Sequence, residues 1–185
     1  MISSFGGHKT DNVTGVHGVG KSYFCKQIID TLHIKTYTAS ELIAKEKQIS
    51  FGSDKLVQGK TISDNQQYLL LAVNKLKSES QQFILDGHFC LLNSYGIVER
   101  IPAETFIALA PDGIIVLTEK PQIIVESRKS RDGVNVSINS IEEFQNEEVI
   151  YATEVAKIIS AKHFISRGKE EQSKAIDFIK SLEVC

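Results

Sequence analysis

Gly15-Val16-His17-Gly18-Val19-Gly20-Lys21-Ser22 fits the pattern G-x-x-x-x-G-K-[ST] at every fixed position. Three glycines let a backbone curl so that successive N–H groups point at phosphate oxygens, and the helix that follows adds its positive N-terminal end. In such a loop Lys21 reaches the β- and γ-phosphates of a nucleoside triphosphate as a point charge, and Ser22 offers its hydroxyl to Mg²⁺. The simpler alternative is a glycine-rich turn before a helix.

A phosphate-binding loop requires a strand before it and a helix after it. The helix is well marked, with Phe24, Ile28, Ile29 and Leu32 at helical spacing. The strand is not: Val13 is the one aliphatic residue between Thr10 and Thr14, whereas a central parallel strand covered on both faces should be an almost unbroken apolar run. Farther along, short apolar runs alternate with amphipathic stretches, the pattern of an α/β protein with a parallel sheet and helices on its faces. Strands are expected at Ile34–Thr38, Gln82–Asp86, Ile114–Thr118 and His163–Ser166. With the strand at Thr10–Thr14 they make five.

The intervening helices are expected over Ala39–Gln48, from Ser63 through Leu76, over Pro121–Arg131, from Ser140 to about Ser160, and over Glu170–Glu183, with one or two turns in Pro102–Leu109. Ser63-Asp64-Asn65-Gln66 and Ser140-Ile141-Glu142-Glu143 have capping-box spacing, and Pro121 suits a first turn. Ile49–Thr61 reads as loop. No linker or internal repeat divides the chain, so residues 1–185 are expected to form one domain.

Lys and Arg total 21 against 23 Asp and Glu, so no overall charge argues for nucleic acid or a membrane as a partner. Cys25, Cys90 and Cys185 are odd in number and lack paired spacing, which fits a reducing cytoplasm, and no long apolar run suggests a signal peptide or membrane span. A cytoplasmic protein is expected.

Chemistry beyond the loop centres on a few residues. Asp86 ends an apolar strand, where a carboxylate can share Mg²⁺ with Ser22; its alternative is a turn residue before Gly87. His88 follows at the sheet's carboxyl edge, as a substrate contact or a structural histidine. Arg128 and Arg131 stand three apart on a helical face beside Asp132-Gly133, either as a clamp on a transferring phosphoryl group or as a solvated face. The stretch from Thr38 to about Leu76 exceeds a simple crossover and could hold a phosphate acceptor or merely cover the sheet. Its polar candidates are Ser40, Glu41, Lys45, Lys55, Lys60, Gln66 and Gln67.

On Gly15–Ser22, I-L-D-G-H-F at Ile84–Phe89, P-D-G-I-I-V-L at Pro111–Leu117, R-K-S-R-D at Arg128–Asp132 and F-I-S-R-G-K at Phe164–Lys169, the chain resembles the P-loop nucleoside monophosphate kinases. Within that group it is most similar to the archaeal-type adenylate kinases and their ATP-binding relatives. The resemblance implies a three-layer P-loop NTPase fold with a five-stranded parallel sheet, a helical acceptor-binding insert at about 38–77 and a short lid at about 127–139. It implies ATP and Mg²⁺ as cofactors and transfer of the γ-phosphoryl group to a small-molecule acceptor, a nucleoside monophosphate.

Under this reading Lys21, Arg128, Arg131 and Asp86 are catalytic, and Ser22 and Asp86 hold the metal. Gly15, His17, Gly18, Val19, Gly20, Lys21, Ser22 and Tyr23 hold the nucleotide, and Arg167, Gly168 and Lys169 lie against its adenine. Ser40, Gln66 and His88 bind the acceptor. Two features depart from the family: the insert carries lysines but no arginine, and a lysine cannot make the bidentate fork that grips a phosphate; the first strand is also polar. The competing readings are an ATP-binding or ATPase regulatory module whose lid closure controls a protein partner, and a kinase of a non-nucleotide small molecule.

Overall fold

A computed structural model describes residues 9–51, 62–79 and 82–183. Five parallel strands form the sheet: β1 (Lys9–Thr14), β2 (Lys35–Thr38), β3 (Gln82–Asp86), β6 (Gly113–Thr118) and β7 (Lys162–Arg167), in the order β2-β3-β1-β6-β7. A separate antiparallel hairpin joins β4 (Cys90–Leu92) to β5 (Val98–Arg100). The helices are α1 (Lys21–Leu32), α2 (Ala39–Phe51), α3 (Ile62–Glu79), α4 (Ala103–Leu109), α5 (Pro121–Asp132), α6 (Ile138–Ile159) and α7 (Gln172–Glu183).

The apolar runs became strands for the expected reason. Ile114, Ile115, Val116 and Leu117 of β6 are buried on both faces of the sheet, and each such side chain contributes about 1.5–3 kcal/mol relative to exposure. Helix α1 turns Phe24, Cys25 and Ile28 inward and packs on β2 and β3, while Ile29 stays exposed. Helix α6 packs on β6 and β7, and α7 on the same two strands.

The polar strand proves central. β1 pairs with β3 on one side and β6 on the other, so Thr10, Asp11, Asn12 and Thr14 are buried around the single apolar Val13. Apolar neighbours replace the expected run: Phe83, Ile84 and Leu85 flank β1 on one side and Ile114–Val116 on the other. Polar partners meet part of its demand, since Thr10 N–H donates to Asp112 (2.9 Å) and Thr14 donates its hydroxyl to Glu148. The strand order reverses across β1, which places a ligand crevice at its carboxyl end.

Several boundaries differ from the sequence reading by a few residues, among them the start of α7 at Gln172 instead of Glu170, and three concern α6, α3 and α2. Helix α6 begins at Ile138 because Ser137, not Ser140, is its N-cap; the Ser137 hydroxyl accepts from Ser140 N–H at 3.0 Å. Helix α3 begins at Ile62, one residue ahead of the proposed cap Ser63. Ile49, Ser50 and Phe51 continue α2, and the remainder of the expected loop lies outside the described residues. The short hairpin of β4 and β5 was not anticipated at all.

Candidate functional site

The loop between β1 and α1 owes its shape to glycine. Gly15, Gly18 and Gly20 have φ of +144°, +90° and +102°, a region L side chains rarely adopt. A Cβ on Gly15 would fall 2.6 Å from the Leu117 carbonyl oxygen, so β6 backbone forbids any side chain there. At Gly20 a Cβ would meet nothing within 4 Å, and α1 begins with no side-chain cap on its first N–H groups. An open cradle of uncapped donors is what a phosphate group fills. Val16 and Val19 anchor the loop in the core beneath it.

Lys21 is only 9% exposed, and its Nζ donates to the Gly15 carbonyl at 2.6 Å. It lies 3.3 Å from His88 Nε2 and 3.9 Å from Asp86 Oδ1. Burial lowers the Lys21 pKa, with Asp86 and Glu148 opposing; burial likewise raises that of Asp86, with Lys21 opposing and Glu41 adding to the rise. Desolvation therefore works against charge on both partners, and an anion bound at Lys21 would favour the lysine's charged form. His88 is pushed down to about 2 by burial, then by Lys21 and His17, whose ring centroid lies 4.6 Å away. A neutral His88 that accepts from Lys21 at Nε2 carries its proton on Nδ1, facing Glu148 Oε1 at 3.8 Å.

Glu148 is the residue that sequence reading missed. It is 1% exposed and accepts hydrogen bonds from the Thr14 hydroxyl, Phe89 N–H (2.9 Å) and Cys90 N–H (2.7 Å). One carboxylate thus ties the entry of the glycine loop to the segment that carries Asp86 and His88. Burial raises its pKa, against these hydrogen bonds and Lys21. Its signal was present: Glu148 falls on the buried stripe of α6 formed by Ile141, Phe144, Tyr151, Ala152 and Val155, where a charged side chain needs partners. Three residues earlier Gln145 braces the β6–α5 corner through Glu119, accepting from its N–H and donating to its carbonyl, both at 3.0 Å.

The two arginines of α5 lie beside the loop. A Cβ on Gly18 would come within 2.7 Å of Arg128 Cγ, and Arg128 Nε is buried with no hydrogen-bond partner. Arg131 lines the cleft but is held by Asp132 through two 2.7 Å hydrogen bonds. Gly133 (φ +66°) ends the helix as the expected turn. Arg100 is occupied elsewhere, by Glu147 and Glu154 on α6.

A cleft of about 1280 Å³ opens over the loop and runs between α2, α3 and the β3–β4 segment. It brings together His17, Gly18, Gly20, Lys21, Ser22, Tyr23, Ser40, Gln66, Asp86, His88 and Arg131 from the expected set. Gly15, Val19 and Arg128 are not among its lining residues, nor are Arg167, Gly168 and Lys169 at the end of β7 and the turn beyond it, where Gly168 N–H donates to Thr118 O at 2.8 Å and Arg167 N–H to Glu171. The hairpin of α2 and α3 is held by Lys75 on buried Glu46 (2.5 Å) and by Lys47 on Asn65 (2.7 Å). No cluster of three His, Cys, Asp or Glu side chains suited to a metal occurs among the described residues, so a Mg²⁺ held by Ser22 and Asp86 would keep waters as its other ligands. No described helix is long and apolar enough to cross a membrane.

Sheet order, glycine loop and buried lysine together define a P-loop protein with a kinase-like fold. A family model described as an AAA domain matches residues 14–145, well over half of the chain, and the chain belongs to that family. Two solved structures share the fold. A gluconokinase from Sinorhizobium meliloti 1021 aligns at 14% identity and TM-score 0.50, over 92% of this chain and 89% of its own. An uncharacterised protein from Eubacterium ventriosum ATCC 27560 aligns at 10% identity and TM-score 0.53, over 95% and 98%. No curated protein matches the sequence.

Proposed function

We propose that the protein is a phosphotransferase that moves the γ-phosphoryl group of ATP to a small-molecule acceptor. The observation that carries this is one continuous cleft that holds the glycine cradle with Lys21 at one end and a walled chamber between α2 and α3 at the other.

The residues fit ATP: the cradle is open at Gly20, its helix is uncapped, and Arg128 Nε is a buried donor in want of an acceptor. Backbone N–H groups of the loop would cradle the triphosphate, and Lys21 would leave the Gly15 carbonyl for the β- and γ-oxygens. Ser22 and Asp86 would hold Mg²⁺, which when bound offsets the phosphates' negative charge. Neutral His88 accepts from Lys21 and keeps the ammonium aimed. Arg128 stabilises charge on the transferring group, and Arg131 joins it once freed from Asp132, in the manner of a closing lid over 127–139.

The acceptor oxygen attacks the γ-phosphorus in line as the bond to the β–γ bridging oxygen breaks, and ADP leaves. A nucleoside monophosphate is the acceptor that the resemblance implies. The lack of arginine between Lys21 and Glu99 argues against its phosphate being gripped as in those kinases. Incubation with ATP labelled at the γ-position, Mg²⁺ and a panel of nucleosides, nucleotides, sugars and sugar acids tests the reading. Label should move to an acceptor in wild type and not in Lys21→Ala; hydrolysis indifferent to every acceptor would refute it.

A further inference from the structure

The chamber away from the loop differs in chemistry from the phosphate end. Leu69, Leu85, Phe89, Ile101, Phe106 and Leu109 line it. Gln66 is the buried polar side chain among its walls, 7% exposed, and its Oε1 has no hydrogen-bond partner. A buried carbonyl left without a donor is costly, and a ligand N–H or O–H would recover that cost. Among the described residues, apolar walls around one buried side-chain amide suit an apolar ring with a hydrogen-bonding edge, the way glutamine amides read nucleobase edges.

Charge argues in the same direction. Two carboxylates, Glu41 and Asp86, face the cleft and lie close enough for Glu41 to raise the Asp86 pKa. Of the described lysines that line it, Lys21 sits at the loop end on the Gly15 carbonyl and Lys47 is held by Asn65 at 2.7 Å and stands over the Tyr68 ring, which leaves Lys45 at the chamber end. Among the described residues a phosphate monoester there would meet acids and one lysine. A neutral alcohol, by contrast, needs a base, because its hydroxyl must lose a proton during transfer, whereas a phosphate oxygen is already ionised. Glu41 stands in the first turn of α2, on the chamber side, with its carboxylate held by the Thr38 hydroxyl at 2.7 Å.

We propose that the acceptor is an uncharged hydroxyl compound of the nucleoside class, bound by its ring in the apolar chamber with a donor on Gln66 Oε1; this rests on the phosphotransferase reading. The acceptor oxygen bonds to the γ-phosphorus, the bond to the β–γ bridging oxygen breaks with its electron pair leaving on ADP, and the hydroxyl proton passes to Glu41.

The test uses the full chain with γ-labelled ATP and Mg²⁺ against adenosine, guanosine, cytidine, uridine and thymidine, each beside its 5′-monophosphate, with ATP binding measured separately by calorimetry. At least one nucleoside should be phosphorylated with kcat/KM about tenfold or more above its monophosphate. Gln66→Leu, and Gln66→Met as a check on packing, should raise the KM of that nucleoside about tenfold while the KM of ATP stays within about twofold. Glu41→Gln should lower kcat by about 10² or more. Preference for monophosphates, or ATP binding with transfer to neither set, overturns the proposal and leaves other acceptors open to the phosphotransferase reading. Absence of ATP binding overturns both.

Discussion

The two ends of the cleft are built on opposite principles. At the loop end the ionic side chains are held, Lys21 on the Gly15 carbonyl and His88, Glu148 on Thr14 and two backbone N–H groups, Arg131 on Asp132, while the first N–H groups of α1 and Arg128 Nε are left for an incoming anion. At the chamber end the walls are apolar and Gln66 keeps an unused oxygen. The engaged end is preorganised, so a triphosphate arriving there exchanges partners instead of ordering loose side chains, which is how electrostatic stabilisation comes at little cost. The apolar end leaves discrimination to shape and one amide. On the proposed function, transfer chemistry would be set by the fold and acceptor choice by a few side chains of α2 and α3.

The contrast can be broken most severely at Lys21. Lys21→Ala should lower the rate of phosphoryl transfer by about 10²–10³ or more, measured in single turnover, with the fold intact by circular dichroism. Gly15 comes next. Gly15→Ala places a methyl group 2.6 Å from a β6 carbonyl at φ +144°, and urea denaturation should show a loss of about 2–3 kcal/mol together with lost ATP binding. Gly18→Ala at φ +90° meets the Arg128 side chain at 2.7 Å and backbone no closer than the Ile124 carbonyl oxygen at 3.4 Å, so a smaller loss of about 1 kcal/mol is expected there.

Glu148 sharpens the comparison by asking whether preorganisation itself matters. Glu148→Ala leaves two buried N–H groups and the Thr14 hydroxyl without their acceptor and should cost about 1–3 kcal/mol, whereas Glu148→Gln keeps one acceptor oxygen and should cost less. Transfer rates falling in the same order would show that the tie positions the loop. The smallest effect concerns the thiols. Burial pushes Cys25 and Cys90 up to about 12, so both remain protonated at pH 8 and peptide mapping should find neither alkylated by iodoacetamide until the chain is unfolded.

Much of this was legible in the sequence. The glycine loop, the strands at Gln82–Asp86 and Ile114–Thr118 and the proline start of α5 were readable because each is a local signal of spacing or turn chemistry. Asp86 and His88 stand out because they end or follow such a strand and Gln66 because it stands in a proposed capping box, and all three line the cleft. What resisted reading is what depends on neighbours far along the chain. β1 is acceptable as a polar central strand only because β3 and β6 supply the apolar contacts, and Glu148 acts 134 residues away from Thr14. The resemblance puts Arg167–Lys169 against the adenine, a placement that no local pattern in the sequence carries, and the turn after β7 is not among the residues that line the cleft. The cap of α6 was misplaced because Ser137 and Ser140 are both capping residues and local pattern does not choose between them.

The central claim is that the triphosphate seats on the loop end and leaves the chamber free. Hydrogen–deuterium exchange of wild type with and without ATP and Mg²⁺ tests it most directly. Slowed exchange is expected in peptides covering Gly15–Phe24 and Arg128–Ser137, with little change over Asn65–Val73, and no slowing in Lys21→Ala at the same ATP concentration. Slowing confined to the peptide over Asn65–Val73, or equal slowing in wild type and Lys21→Ala, would contradict it.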